Sequence, residues 1–298
     1  MFNCVWAEGS LEADNRSHYA LATLINNMLD RTEGLGFVHR NGFEQLPEDA
    51  PGAVIVIHGE HLMGKILELS ERIKNLRWAI SIIIGDEPAQ FRSNFLVGDR
   101  KKVWIQMPIP GRSDHASRRL ICGYPHDAPI FLANCADLIA KKSLDWSFAG
   151  QVNNINRRQC AQILRELKNG FLYESPRFWS GIPRDEYYGI MADSKVVVCP
   201  TGACTPDTLR VAEALEAGCV PIVEDRWPSS TTTGYWKYVL GEEPPFPLVT
   251  QWSDFTKVLD ATLAGWPTIC GNLQLWWKDY KSRMCSWLSE DMKLVGAL

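Results

Sequence analysis

The chain has 298 residues, of which 46% are hydrophobic and 22% are charged, and its formal net charge is −4. This balance is typical of a folded protein rather than a disordered one, and the length suits two domains of ordinary size. A net negative charge provides no global positive field to draw the protein to nucleic acid or to a membrane surface.

Cellular location is the next property that the composition constrains. No segment approaches the roughly 20 apolar residues that cross a bilayer, and the first eight residues lack the basic and apolar regions of a signal peptide. The nine cysteines are scattered and form no C-x-x-C pair, which argues against a disulfide framework or a zinc site. We therefore expect a cytoplasmic protein without a membrane span, in the host cytoplasm if the protein is viral.

In the first half of the chain, apolar stretches of strand length alternate with amphipathic stretches of helix length. The alternation predicts strands at residues 2–7, 53–58, 78–84 and 102–107, and helices at residues 17–31 and 61–76. This rhythm is typical of a parallel sheet that helices cover on both faces. The polar residues 112–129 that follow are interrupted by Gly and Pro.

The alternation restarts near residue 140. It predicts strands at residues 146–150, 195–199 and 220–223, and helices at residues 157–169 and 206–217. Trp, Met and Leu at helical spacing predict a packing helix over residues 275–288. We therefore predict an N-terminal domain at residues 1–140, a C-terminal domain at residues 141–275 and a packing helix within residues 276–298.

Residues 187–223 are the most informative stretch. A buried strand precedes a glycine-containing loop, in which Thr205 is a good helix cap and Pro206 suits the first helical position. Gly218 is a typical residue at a helix C-terminus. The stretch therefore predicts a strand, a loop, a helix and a second strand in succession.

Ligands of open parallel sheets bind beyond the carboxyl ends of the strands, here residues 201–208 and 224–225. A helix N-terminus attracts anions, and Arg210 near that end suits a diphosphate. Glu213, one turn further on, suits the hydroxyl groups of a ribose or a sugar. The alternative is an ordinary strand–helix–strand unit in which Arg210 and Glu213 form a surface ion pair.

The same stretch resembles the C-terminal donor-binding motif of exostosin-like glycosyltransferases. That motif runs Tyr…Ser-Lys-Phe…Pro-x-Gly…Arg-x-x-Glu-Ala-Leu-x-x-Gly-x-x-Pro-Val. The matching positions, all in one register, are Ser194, Lys195, Pro200, Gly202, Arg210, Glu213, Ala214, Leu215, Gly218 and Pro221. Upstream, residues 148–150 followed by Arg157 and Arg158 resemble the Phe-x-Gly segment of the family and its following arginine. The resemblance covers residues 146–225, and the first half of the chain has no comparable match.

The resemblance implies a GT-B-like α/β fold, in which two Rossmann-like domains with parallel sheets face each other across a cleft. It also implies an inverting, metal-independent transferase that needs no cofactor and uses a nucleoside-diphosphate sugar as co-substrate, with a UDP-sugar favoured. The donor-binding residues that it implies are Arg157, Arg158, Gly202, Thr208, Arg210 and Glu213.

A carboxylate of the N-terminal domain is expected to be the general base of such a reaction. Asp86 and Glu87 follow the predicted strand at residues 78–84, Asp14 and Glu12 follow the first strand, and His58 ends the second. We favour Asp86 slightly over Asp14. Each of these residues would also suit a loop or a capping role.

The acceptor is suggested by one local feature. Seven basic and two acidic residues occupy residues 92–119, and Arg100, Lys101 and Lys102 are the candidate acceptor-binding group among them. A basic strip next to the proposed base could follow a phosphate backbone, as in viral enzymes that glycosylate hydroxymethylated DNA bases. We favour a glycan acceptor, with modified DNA as the first alternative and a small molecule as a further one. A non-catalytic sugar-nucleotide or glycan-binding protein is a second alternative, against which the intact Arg210/Glu213 pair argues.

Other motifs are weaker. Residues 59–66 nearly match a phosphate-binding loop but have Ile66 where Ser or Thr would bind magnesium, and no G-x-G-x-x-G occurs. His58 and His61 have no matching further metal ligands. The aromatic residues Trp227, Trp236 and Trp252 could stack on a base or a sugar, but core packing is the favoured interpretation.

Overall fold

The computed structural model describes residues 1–7, 16–59, 62–86, 88–125, 142–177, 181–228 and 230–298. Contacts within the chain divide it into two compact units. The first unit holds Met1–Pro125 together with Asp279–Leu298, and the second unit holds His126–Lys278. The first unit therefore includes the last residues of the chain, which the sequence analysis treated as a separate segment.

The first unit is built on a six-stranded parallel sheet in the order β2-β1-β3-β4-β5-β6. Its described elements follow in the order β1 (Phe2–Trp6), α1 (Arg16–Arg31), β2 (Phe37–Asn41), β3 (Gly52–His58), α2 (Ile66–Asn75), β4 (Trp78–Ile84), β5 (Lys101–Gln106) and β6 (Arg118–Leu120). Every residue of β3 and of β4 is buried. These two apolar strands are therefore covered on both faces, as their sequences predict.

The second unit is built on a five-stranded parallel sheet in the order β11-β10-β9-β7-β8. Its described elements are β7 (Leu144–Gln151), α3 (Ile155–Leu164), β8 (Gly170–Ser175), α4 (Arg184–Asp193), β9 (Ser194–Cys199), α5 (Leu209–Glu216), β10 (Val220–Glu224), α6 (Tyr235–Leu240), β11 (Leu248–Val249), α7 (Phe255–Ala264) and the first part of α8 (Trp266–Leu294).

The two sheets share one strand order. If the strands of the second unit are numbered from its own first strand, both sheets begin 2-1-3-4-5, and β6 extends the first sheet. In this order the chain reverses direction across the sheet between the first and third strands, where doubly wound folds bind their ligands. The predicted α/β class with two Rossmann-like parallel sheets is therefore confirmed.

The last helix differs from its prediction. α8 begins at Trp266, before the predicted start at residue 275, and continues to Leu294. Pro267 lies in its first turn, where the missing N–H would have had no helical partner, so the proline does not prevent an earlier start. No helix in the described part of the chain combines the length and the apolar character that a bilayer span requires.

Candidate functional site

The carboxyl edge of the second sheet carries the candidate site. The strand order reverses between β7 and β9, so the loops after these two strands flank the switch point. Residues 152–154 lead from β7 into α3, and residues 200–208 lead from β9 into α5. Ligands of open α/β sheets bind in this position.

Asn154 connects the two loops. It caps α3, because its Oδ1 accepts a hydrogen bond of 2.8 Å from the backbone N–H of Arg157. Its Nδ2 donates a 3.1 Å hydrogen bond to the carbonyl of Gly202. The sequence analysis did not identify Asn154, although an asparagine just before a helical segment is a recognisable capping signal.

Arg157 also holds the two loops together. Its Nε donates to the carbonyl of Thr201 at 2.9 Å, and its Nη1 donates to the carbonyl of Gln151 at 3.2 Å. The side chain is half-buried between the ends of β7 and β9. Arg157 therefore shapes the site, and its contact with a diphosphate stays a prediction.

An open cleft of about 870 Å³ lies at the start of α3 and is called the α3 cleft here. The residues that line it are Asn153, Asn154, Ile155, Asn156, Arg158, Gln159, Arg226, Ser230 and Thr231. Its volume falls within the range of about 300–1,000 Å³ for small-molecule sites. The described lining holds two arginines, several amides and hydroxyls, and no carboxylate. This chemistry suits an anionic ligand with polar groups.

The two arginines of the α3 cleft differ in their contacts. Arg158 is exposed, and within the described residues its guanidinium has no hydrogen-bond or ion-pair partner. Arg226 is fixed by two side-chain hydrogen bonds. Its Nε donates to Oε1 of Glu224 at 3.1 Å, and its Nη2 donates to Oε1 of Gln159 at 2.9 Å. The sequence analysis predicted Arg158 but missed Arg226, which follows the carboxyl end of β10.

Glu224 lies directly beneath this arginine and is completely buried. Besides Arg226, its carboxylate accepts hydrogen bonds from Nδ2 of Asn156 at 2.8 Å and from the backbone N–H of Thr201 at 3.1 Å. Burial raises the pKa of Glu224, and the N–H of Thr201 and the charge of Arg226 oppose that rise. One buried carboxylate thus joins α3, the loop after β9 and the end of β10.

Arg210, in the first turn of α5, reaches the end of β7. Its Nη2 donates a 2.6 Å hydrogen bond to the carbonyl of Ala149, and its guanidinium lies over the ring of Phe148, 4.8 Å from the centroid. A side chain at Gly150 would overlap Nη2 of Arg210. Residues 148–150 and Arg210, which the motif resemblance singled out separately, therefore form one contact set.

Two threonine hydroxyls near the start of α5, Oγ1 of Thr205 and Oγ1 of Thr208, are buried and have no hydrogen-bond partner within the described part of the chain. Buried polar atoms in folded proteins are normally satisfied. A bound ligand or water is therefore expected to complete this group. The N–H of Gly202 is already bonded, since it donates to the carbonyl of Thr205 at 2.8 Å.

Glu213 is only 5% exposed, so it is not a surface ion-pair residue. Its Oε2 accepts a 2.8 Å hydrogen bond from the hydroxyl of Tyr187, and its Oε1 accepts one of 3.1 Å from the hydroxyl of Tyr188. Burial raises the pKa of Glu213, whereas the bond from Tyr187 and the charge of Arg210 act to lower it. Neither Arg210 nor Glu213 is among the residues that line the α3 cleft.

The predicted start of the helix after β9 is wrong. α5 begins at Leu209 with Thr208 at the capping position, and the Thr208 side chain makes no capping bond. Thr205 and Pro206 lie in the preceding loop, where the carbonyl of Thr205 is bonded to Gly202 and to the hydroxyl of Thr201. This internal bonding of the loop replaces the helical turn that Thr205 and Pro206 would otherwise start.

In the first unit, Asp86 follows the carboxyl end of β4 and is only 5% exposed. Its two carboxylate oxygens accept hydrogen bonds from the backbone N–H groups of Gln90 at 2.9 Å and Phe91 at 3.0 Å. These contacts are those of a residue that holds a loop. Asp14, Glu12 and Glu87 lie outside the described residues.

The basic segment was predicted to lie next to Asp86, but its members Arg100, Lys101 and Lys102 do not. Lys101 begins β5 and is paired with Ala79 near the start of β4, whereas Asp86 follows the other end of β4. Parallel strands share one direction, so Lys101 lies at the amino ends of β4 and β5, whereas Asp86 lies at their carboxyl ends. The two ends of β4 are roughly 17 Å apart at about 3.3 Å per residue.

Two residues of the basic segment 92–119 are also engaged in contacts within the first unit. Nζ of Lys101 donates to the carbonyl of Leu76. Arg118 pairs with Glu290 at 2.8 Å and with Asp291 at 3.3 Å within the first unit. A continuous phosphate-tracking strip beside Asp86, on which the DNA interpretation depended, is therefore not supported.

Two weaker interpretations can also be compared with the structure. Within the described ranges, no group of three or more His, Cys, Asp or Glu side chains is arranged to hold a metal ion. Trp236 and Trp252 are buried, in agreement with their interpretation as core residues, and Trp227 packs edge-on against Tyr235.

Together, the fold and the site define an α/β protein with two Rossmann-like units, the second of which carries a cationic, polar cleft at its switch point. The family described as the RXYLT1 C-terminal domain matches residues 136–289, which is just over half of the chain. The chain therefore belongs to this family, which is one of exostosin-like glycosyltransferases and is named for a xylosyltransferase. The match includes residues 187–223 and supports the glycosyltransferase resemblance of that stretch. No curated protein matches the chain.

Proposed function

We propose that this protein transfers a sugar from a nucleoside-diphosphate sugar to a hydroxyl group of a glycan, with the donor bound by the second unit. The observation that carries the proposal is the α3 cleft. It has the size of a ligand site, two arginines and no carboxylate in its described lining, and it lies within the region of the family match.

The chemistry of the leaving group explains why such a cleft suits the reaction. As the bond between the sugar C1 and the diphosphate breaks, negative charge grows on the diphosphate and the sugar becomes oxocarbenium-like. Arg158 and the positive end of α3 would stabilise that growing charge. The proposal therefore includes no metal ion, and we expect activity to survive treatment with EDTA.

Inversion at C1 requires the acceptor hydroxyl to attack from the face opposite the leaving group. A carboxylate of the first unit is proposed as the base, and Asp86, Asp14 and Glu87 are its candidates. The two amide contacts of Asp86 favour a loop-holding role for that residue. The true base is identified by a variant whose kcat falls by about 100-fold or more while its donor Kd is unchanged.

The proposal is tested first by ligand binding. Thermal unfolding is followed with UDP-, GDP- and other nucleotide sugars, beginning with UDP-xylose because the family is named for a xylosyltransferase. A donor present at 100 times its Kd should stabilise the protein by about 2.7 kcal/mol. The absence of stabilisation by every nucleotide and nucleotide sugar would contradict the proposal.

Slow hydrolysis of the bound donor in the absence of acceptor then separates an enzyme from a non-catalytic binding protein. Hydrolysis should release the free nucleotide and the sugar, and the initial anomer, read by proton NMR, should be the inverted one. Donor binding without hydrolysis, and without transfer to any glycan in a panel, would favour the non-catalytic alternative.

A further inference from the structure

Arg226 and Glu224 form a pair that neither the motif resemblance nor the family match assigns. Arg226 follows β10, and its side chain is 16% exposed at the wall of the α3 cleft. Glu224 beneath it is completely buried, and its Oε1 lies 3.0 Å from Nη2 of the arginine. A buried carboxylate thus fixes an arginine that faces a cleft.

The contacts of Arg226 leave part of its guanidinium available. Nε and Nη2 are directed to Glu224 and Gln159. Within the described residues, Nη1 has no hydrogen-bond partner. The two holding contacts fix the plane of the guanidinium, so that Nη1 is presented in one orientation rather than in many. An arginine that is pre-organised in this way loses less entropy when it binds a phosphate.

Arg158 is the second cation of the same cleft and lies on a different element. It belongs to the first turn of α3, whereas Arg226 follows β10. The charge of Arg226 is largely balanced by Glu224, but that of Arg158 has no balancing partner within the described residues. Two guanidinium groups on separate elements of one cleft can each bind one phosphate of a pair.

We propose that Arg158 and Arg226 bind the two phosphates of a nucleoside diphosphate, Arg158 the α-phosphate and Arg226 the β-phosphate, and that Glu224 is the positioning residue that fixes Arg226. This inference rests on the proposed function and adds to it: the α3 cleft selects a diphosphate over a monophosphate. Glu224 does not touch the ligand and acts through Arg226 and through the N–H of Thr201. Gln159 gives the arginine its second support.

Isothermal titration of the full chain with UDP, UMP and inorganic pyrophosphate tests the inference. The wild-type protein should bind UDP at least tenfold more tightly than UMP. Arg226→Gln should weaken the binding of UDP and of pyrophosphate by about tenfold or more, the effect of losing a charged hydrogen bond, with little change for UMP. The ratio of the UMP and UDP dissociation constants should therefore fall.

Variants of the two residues that support Arg226 test the positioning role. Glu224→Gln replaces an oxygen that accepts hydrogen bonds by an NH₂ group, so Arg226 loses part of its support and the UMP/UDP ratio should fall. Because Glu224 is buried and this variant could fail to fold, Gln159→Ala provides a second case on an exposed side chain. It should lower the ratio by about two- to fivefold, less than Arg226→Gln does.

Arg165→Gln is the matched control, since Arg165 lies at the other end of α3 and pairs with Glu174. It should leave the ratio unchanged. A merely structural role for Arg226 and Glu224 would weaken UMP and UDP equally, so an unchanged ratio in their folded variants overturns the inference even if UDP binds. Arg226-dependent binding of pyrophosphate without binding of any nucleotide would support the inference and contradict the proposed function. Failure of the wild type to bind UDP, UMP and pyrophosphate contradicts the inference, and failure to bind every nucleotide and nucleotide sugar contradicts the proposed function as well.

Discussion

The hydroxyl of Tyr187 donates a 2.8 Å hydrogen bond to Oε2 of Glu213, which joins α4 to α5 through the acid that the motif places one turn after Arg210. The sequence suggested that Glu213 binds the hydroxyl groups of a donor. In the structure its carboxylate is buried, and both of its oxygens already accept tyrosine hydroxyls. Glu213 therefore supports the site from within, and its removal should affect folding as well as binding.

The first prediction follows from this burial. Glu213→Ala leaves the hydroxyls of Tyr187 and Tyr188 without their acceptor, so the free energy of unfolding should fall by about 1–3 kcal/mol. Urea unfolding followed by far-UV circular dichroism measures this change. Glu186→Ala, which removes an exposed acid from α4, is the control and should change stability little. Equal stability of the Glu213 variant and the wild type would show that the two tyrosine bonds do not stabilise the fold.

The second prediction concerns pH. Burial raises the pKa of Glu213 in the folded state above its ordinary value of about 4.3, despite the opposing effects of Tyr187 and Arg210. The folded protein therefore holds the Glu213 proton more tightly than the unfolded chain does. The contribution of Glu213 to stability is fully present below about pH 4.3 and is lost as the pH rises through the folded pKa.

This dependence is measured by comparing the wild type with Glu213→Gln, which cannot titrate. The unfolding free energy of the wild type minus that of the variant should be largest near pH 4 and should decrease toward pH 7. The charged and titratable groups near Glu213 are Tyr187, Tyr188, Cys199, Arg210 and Arg184. The pKa values of Tyr187, Cys199 and Arg210 are all raised, which moves their titration further from this window. A difference that is flat or rises with pH would contradict the prediction.

The central strands of both sheets could be predicted because their sequences are continuous apolar runs. β3 and β4 are buried along their whole length, and almost all of their residues are apolar. The edge strands β2 and β8 could not be predicted in the same way. Both are half-buried and carry polar residues such as Arg40 and Glu174, so their sequences show neither a continuous apolar run nor a clear alternation.

The candidate site was predictable in part for a related reason. Residues 187–223 are contiguous, so their motif could be recognised directly. Arg226, Glu224 and Asn156 meet only because the carboxyl ends of β7, β9 and β10 lie side by side in the folded sheet. No spacing in the sequence encodes that meeting. The start of α5 was missed because Thr205 and Pro206 have the chemistry of a helix start but are bonded within the loop.

The third prediction concerns Lys142, a buried lysine of the second unit. Its Nζ donates to the carbonyl of Ala192 at 2.7 Å and to that of Ala217 at 3.1 Å, near the C-terminal ends of α4 and α5. A cation at these positions binds carbonyl groups that have no helical partner and complements both helix dipoles. Lys142→Met keeps most of the side-chain volume but removes these bonds.

The unfolding free energy of Lys142→Met should therefore fall by about 1–3 kcal/mol, which urea unfolding can measure. Lys168→Met, at an exposed position of the same unit, is the matched control. A loss of stability equal to that of the control would show that Lys142 contributes only its charge and not its bonds.

The last prediction separates the two roles that are open to Asp86. If Asp86 chiefly holds the loop after β4, Asp86→Asn should destabilise the protein by about 1–3 kcal/mol. The asparagine keeps one oxygen, but its NH₂ group cannot accept a hydrogen bond, so one of the two bonds from Gln90 and Phe91 is lost. Its donor Kd should be unchanged, and kcat should fall by less than about tenfold. Asp49→Asn, on an exposed residue of the first unit, is the control.

If instead Asp86 is the general base, kcat should fall by about 100-fold or more at constant donor Kd. From the two amide contacts and the near-complete burial of its carboxylate, we expect the first result, with the base among Asp14 and Glu87. Transfer rates of Asp14→Asn and Glu87→Gln, measured with the same donor, then decide which of them it is.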